Sequence, residues 1–139
     1  MQKLTNQEIE VINLLEQLTK ARANDAIIMD DAVVFVVKEG ELGKAIGKKG
    51  ANIMKLRRIL DKNVEIVEYS GELNQFLKNI FYPVDIKEIS INENGDKKSI
   101  VLQVDSKNKG LAIGRRGEKI DKARMLVKRY FDFDNLKIL

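Results

Sequence analysis

Ile9, Ile12, Leu15 and Leu18 recur three residues apart, the apolar stripe of an amphipathic helix. Thr5 followed by Glu8 supplies a capping box at its start. Ile27, Ile28 and Met29 lead through Asp30-Asp31 into residues 32–38, a run rich in β-branched side chains that predicts a strand. A glycine-rich stretch over 40–50 follows, then a helix with Ile53, Leu56 and Leu60 on one face, then a strand at 64–67. The same order then returns. A helix carrying Leu73, Phe76, Leu77 and Ile80 must stop before Pro83, which has no N–H to donate. Strands are predicted at 84–91 and 99–104, with Asn94-Gly95 as the hairpin signal between them. A second glycine-rich stretch covers 110–117, and Ile120, Ala123, Val127 and Tyr130 line the next helix. Residues 136–138 form the last predicted strand.

The recurrence is a sequence repeat as well as a pattern repeat. A shift of 67 residues lays Gly-Lys-Ala-Ile-Gly-Lys-Lys-Gly (43–50) on Gly-Leu-Ala-Ile-Gly-Arg-Arg-Gly (110–117). Ile53 then meets Ile120, Lys55 meets Lys122 and Arg57 meets Arg124. Upstream, Val33, Val34 and Val37 meet Ile100, Val101 and Val104. A unit of that length is a small domain and too long for a solenoid repeat. The expected division is 1–70 and 71–139, at Ser70-Gly71, with almost no linker. Two domains joined so tightly are expected to be held rigidly together, since each core is small.

Charge sharpens this picture. The 139 residues carry a net charge of +4, unevenly spread. Residues 46–62 hold six Lys and Arg against Asp61, and 113–129 hold seven against Glu118 and Asp121, so each segment is +5 and the remainder is −6. Two basic segments in an acidic background point to two contacts with a polyanion. Histidine and cysteine are both absent, which removes most metal sites and most nucleophilic dyads. No cofactor, no metal and no catalysis are expected. There is no apolar run of membrane-spanning length and no signal-peptide layout at the N-terminus, so a soluble, cytoplasmic protein without membrane partners is expected.

The chemistry therefore rests on the two loops, Gly47-Lys48-Lys49-Gly50 and Gly114-Arg115-Arg116-Gly117. The glycines let a backbone approach closely, and the helix that begins after each loop presents free N–H groups and a positive dipole end. Paired cations at that spot suit a phosphodiester, and the guanidinium fork of arginine matches phosphate well. A P-loop is excluded, because Gly43 and Gly47 are one residue too close and Lys48 precedes Lys49 instead of Ser or Thr. A dinucleotide fingerprint is excluded because Ala45 and Ala112 stand where its first glycine belongs.

Two GxxG loops, each after a strand, before a basic helix and within Gly-x-Ala-Ile-Gly, resemble the KH domain, whose loop clamps about four nucleotides of backbone. The preceding helix and strand are similar to its type II, prokaryotic form. The resemblance implies an α/β (α+β) fold of two tandem type II KH domains, each a three-stranded sheet packed against helices. It also implies an apolar groove for bases, which position assigns to Ile46 and Ile53 in the first unit and Ile113 and Ile120 in the second. Lys55 and Lys122 are added as candidate backbone contacts. Residues 37–50, 64–70 and 109–117 further resemble the archaeal NusA-like transcription factors, and the likeness covers nearly the whole chain. That resemblance implies a non-catalytic, monomeric factor in transcription elongation, termination or antitermination. It would bind single-stranded RNA, with RNA polymerase or other transcription factors as further partners.

Plainer readings stand beside these. The isoleucines fit a core as well as a groove. The face formed by Lys55, Arg58 and Lys62, like that of Lys122 and Arg129, fits simple solvation. Tyr69, Phe76, Phe81, Tyr82, Tyr130, Phe131 and Phe133 read as packing or interdomain contacts. A ribosome-associated or RNA-maturation KH protein, and a protein-interaction module with vestigial loops, remain alternatives. A GxxG clamp would also accept single-stranded DNA.

Overall fold

A computed structural model describes residues 4–139. The chain divides into two compact units between Gly71 and Glu72.

The first unit opens with α1 (Asn6–Thr19). Its capping box forms as the sequence predicts: Glu8 N–H donates to the Thr5 hydroxyl (3.1 Å) and Thr5 N–H donates to the Glu8 carboxylate (2.8 Å). Then follow β1 (Ala23–Ile28), β2 (Ala32–Val37), α2 (Leu42–Ile46), α3 (Ala51–Leu60) and β3 (Asn63–Glu68). The sheet order is β1-β2-β3, with β1 antiparallel and β3 parallel to the central β2. A parallel neighbour demands a crossover, and α2, the glycine loop and α3 are that crossover. All six residues of β2 are buried, which is why it reads as one apolar run without alternation. The core joins Leu15, Phe35, Val37, Ala45, Leu56 and Val64. β1 is longer than the apolar triplet 27–29 suggests. Asn24 and Asp25 break the pattern, and the register shifts between Ala23 and Asp25 as a bulge, so pairing with β2 overrides a weak local preference.

The second unit repeats the topology with α4 (Leu73–Phe81), β4 (Glu88–Asn94), β5 (Lys97–Gln103), α5 (Lys109–Ile113), α6 (Glu118–Phe131) and β6 (Asn135–Ile138), in sheet order β4-β5-β6. α4 stops two residues short of Pro83, as expected. The strand expected at 84–91 begins later, because Val84 N–H closes a turn onto the Phe81 carbonyl (2.8 Å). The hairpin turn is Gly95-Asp96, one residue beyond the expected dipeptide, since Asn94 pairs with Lys97. The first helices of the two units differ in use: α1 packs on β1, whereas α4 packs on α6. There the Phe76 ring meets Tyr130 edge-on (5.7 Å, 78°) and Phe131 at a tilt (5.8 Å), contacts of the kind that stabilise aromatic cores. Among the described residues no helix is long and apolar enough to cross a membrane, and no group of His, Cys, Asp and Glu could hold a metal ion.

Candidate nucleic-acid interface

Each glycine loop joins a one-turn helix to a longer one. In the first unit Gly47 N–H closes α2 onto the Gly43 carbonyl (2.9 Å), and Gly50 N–H returns to the Gly47 carbonyl (3.1 Å). The second unit repeats both bonds, Gly114 to Gly110 (2.9 Å) and Gly117 to Gly114 (3.1 Å). The dihedrals agree equally well. Gly47 lies at φ 79°, ψ 170° and Gly114 at φ 81°, ψ 171°, a region open essentially to glycine alone. A Cβ on Gly47 would stand 2.8 Å from Asn52 Cγ and 2.9 Å from its backbone N, and one on Gly114 would stand 2.8 Å from Lys119 N. These glycines are thus required twice over, by backbone angle and by space.

The middle of each loop is more informative. Lys49 (φ 55°, ψ 29°) and Arg116 (φ 56°, ψ 25°) both adopt the left-handed conformation. For a side chain of this type that conformation costs roughly 1–2 kcal/mol. Glycine or asparagine would fit with less strain, yet a cation stands there in both repeats. Lys48, Lys49, Arg115 and Arg116 are all exposed. No side chain caps the N-terminus of α3 or α6, so in both loops two cations and an uncapped helix start adjoin one another. The surroundings differ in one respect: the first turn of α6 carries Glu118 and Asp121, while that of α3 carries no acid.

Other expected residues separate once placed. Ile46 and Ile113, the last residues of α2 and α5, are half-buried beside the loops. Ile53 is half-buried and packs on the core, and its Cγ2 lies 3.6 Å from where a Gly50 Cβ would be. Ile120 is only 8% exposed, so it belongs to the core and not to an open groove. Lys55 is exposed, as a backbone contact requires, but Lys122 is 2% exposed. The repeat aligns the two lysines in sequence, yet burial withdraws Lys122 from any surface ligand. Arg57 and Arg124 are structural: each donates from its helix to a backbone carbonyl, of Val64 (3.2 Å) and of Leu136 (3.0 Å). Lys62 likewise donates to the Met29 carbonyl (3.1 Å).

Four residues near the loops escaped the sequence pattern. Asn52 lies under Gly47, and its amide donates to the Lys44 carbonyl (2.9 Å), tying α3 to the last turn of α2. Its repeat counterpart is Lys119, whose Nζ reaches the Phe81 and Tyr82 carbonyls at the end of α4 (3.5 and 3.4 Å). The repeat differs here, Asn52 against Lys119, and that difference was the available signal. Glu41 anchors the other side of α2, accepting from Arg22 N–H (3.0 Å) and pairing with Lys44 (3.2 Å). The Lys44 hydrogen bond first, and the Arg22 backbone bond second, hold its carboxyl below the ordinary value. The fourth is Tyr82. Of the aromatics expected to pack, Phe76, Phe81 and Phe133 are buried, but Tyr82 is 79% exposed. It follows the end of α4, so nothing turns its ring toward the core.

Residues 10–70 match the KH domain family, and residues 73–138 match the NusA-like second KH domain. The fold and the paired loops thus define a protein of two KH domains in tandem. The chain is 34% identical over 137 residues to the probable transcription termination protein NusA of Methanococcus vannielii, covering 99% of this chain and 79% of that protein. Its counterpart in Halococcus morrhuae is 36% identical over 135 residues, with 97% and 96% covered. The crystal structure of APE1850 superposes with a TM-score of 0.85 at 35% identity, covering 98% of this chain and 100% of that one. The chain belongs to the NusA family, in the form found in these archaeal relatives.

Proposed function

We propose that this protein is a non-catalytic factor of transcription termination or elongation that binds single-stranded RNA by its backbone, at Gly47–Gly50 and Gly114–Gly117. The observation that carries this reading is the cation held in a strained, left-handed conformation at the same place in both loops. Lys48, Lys49, Arg115 and Arg116 neutralise phosphates, while the glycines admit the backbone to the uncapped starts of α3 and α6. Ile46 and Ile113 offer apolar surface for bases beside each loop. With about four nucleotides per loop, both clamps together take roughly eight or more. Linking the clamps in one chain raises the effective concentration at the second site once the first is filled, so the pair outbinds either unit alone. The transcription role follows from the relatives' names and the family, and RNA polymerase is the partner such a role implies.

The test is a titration of a fluorescent single-stranded RNA of about twelve nucleotides, at several salt concentrations. It compares wild type with Lys48→Asp/Lys49→Asp/Arg115→Asp/Arg116→Asp. Wild type should bind with log affinity falling at about 0.7 per neutralised phosphate against log salt. The variant should stay folded and not bind. Equal binding by both proteins would remove the loops as the RNA site and promote the protein-interaction module.

A further inference from the structure

Tyr82 is the one aromatic side chain of the second unit that faces solvent almost completely. An exposed aromatic is unremarkable alone; its address is not. Lys119 begins directly behind the second loop, with its backbone N 2.8 Å from where a Gly114 Cβ would stand. Its Nζ ends at the Tyr82 carbonyl, 3.4 Å away, and at the Phe81 carbonyl, 3.5 Å away. The distance from the loop to the tyrosine backbone is therefore bridged by one lysine side chain. A cation donating to carbonyls at the end of α4 is electrostatically well placed and holds that end beside the loop. The next carboxylate along the chain, Asp85, pairs with Lys87 (3.8 Å). The backbone that carries the ring is thus tied by Lys119 to the helix start behind Arg115 and Arg116, where Glu118 and Asp121 also stand. At the position 67 residues earlier the first unit holds Leu15, which is buried inside α1.

We infer that Tyr82 is a stacking platform for a nucleobase of the strand whose phosphates are held at Arg115–Gly117. This deepens the RNA-binding reading and rests on it. A phosphate clamp grips any backbone, double-stranded or single. An exposed ring beside it can stack only on a base free of its partner strand, so the pair selects single strands and tolerates any sequence. The second unit then adds a ring stack where the first has buried Leu15 at the corresponding position, and the two clamps are unequal.

The experiment uses the full chain and a twelve-nucleotide RNA, together with an all-abasic oligonucleotide of equal length that keeps the phosphates. Tyr82→Ala should weaken RNA binding about fivefold to a hundredfold, and Tyr82→Phe should bind within about twofold of wild type. The salt slope should be unchanged, because stacking releases no counterions. On the abasic strand Tyr82→Ala and wild type should be equal. A 2-aminopurine in the RNA should be quenched by wild type and Tyr82→Phe but not by Tyr82→Ala. Thermal melting of each variant checks the fold, which an exposed ring should hardly affect. If Tyr82→Ala binds RNA like wild type while Arg115→Asp/Arg116→Asp does not, the clamp stands and the platform is overturned. Equal weakening on the abasic strand overturns it too, since the ring would then act through the loop. If Arg115→Asp/Arg116→Asp binds like wild type, the clamp itself fails and the platform with it.

Discussion

Glycine 47 and glycine 43 make opposite predictions from positions four apart. Gly43 lies inside α2, and a Cβ there would meet nothing within 4 Å. Gly43→Ala should therefore stabilise the protein by about 0.5–1 kcal/mol through a less free unfolded chain. Gly47→Ala meets both the forbidden backbone region and the contact with Asn52, and should destabilise by about 2–4 kcal/mol. Chemical denaturation of the two variants measures the contrast, and equal effects would mean that the loop relaxes freely. Lys49 supplies a second residue-scale test. Lys49→Gly should relieve roughly 1 kcal/mol of left-handed strain and raise the melting temperature. It should at the same time weaken RNA binding and lower the salt slope by about 0.7, the share of one phosphate. A variant more stable but less able to bind would show that the strain is retained for the cation's position.

At the scale of elements, the parts that carry tertiary bonds define the boundaries better than local pattern does. Asp134 shows this between α6 and β6. Its carboxylate accepts from Lys98 N–H (2.9 Å) and from Lys128 Nζ (3.2 Å), while its own N–H donates to the Lys98 carbonyl (2.8 Å). The Lys98 backbone bond, then Lys128, holds the Asp134 carboxyl below its ordinary value, and Asp134 first, then Asp132, holds Lys128 above its own. A lowered carboxyl contributes stability above its unfolded pKa and loses it as pH falls through the folded one. A raised lysine contributes below its unfolded pKa and loses it as pH rises through the folded one. The junction is therefore strongest between these limits. In melts run from neutral pH to about pH 2, Asp134→Asn should be less stable at neutral pH and lose part of the acid-induced fall. Identical profiles would leave the junction without energetic weight. α1, α3, α4 and α6, both glycine loops and the central strands were legible because periodicity, capping and turn chemistry act within a few residues, whereas the one-turn helices α2 and α5 fall almost wholly within the stretches read as glycine-rich. β1 was not, because Asn24 and Asp25 become strand only through pairing with β2. The late start of β4 was not, because a turn at Phe81–Val84 consumes the residues that pattern alone assigned to it.

For the molecule as a whole, a sequence repeat is a guide to topology and a poor guide to solvent. The repeat correctly superimposed two loops whose backbones agree within a few degrees. It also superimposed exposed Lys55 on buried Lys122. Burial depends on what the rest of each unit brings to a position, and α1 and α4 bring different partners. The crossover placement of the loops has a further consequence, one of timing. Ser99 to Leu102 of β5 pair in parallel with Asn135 to Ile138 of β6, so the second loop lies within a long excursion that these pairs and the Asp134–Lys98 bonds beside them close. The entropy of closing such an excursion must be lost before its contacts form. The clamp should therefore be among the last parts of its unit to take shape, although no residue of β6 belongs to it. A chain lacking residues 135–139 should show rapid amide exchange across α5 and α6 and lose the second clamp's contribution to RNA binding. Slow exchange there would mean that the loop matures before its closing strand arrives. During synthesis, the first grip is complete while the second still waits for its final strand.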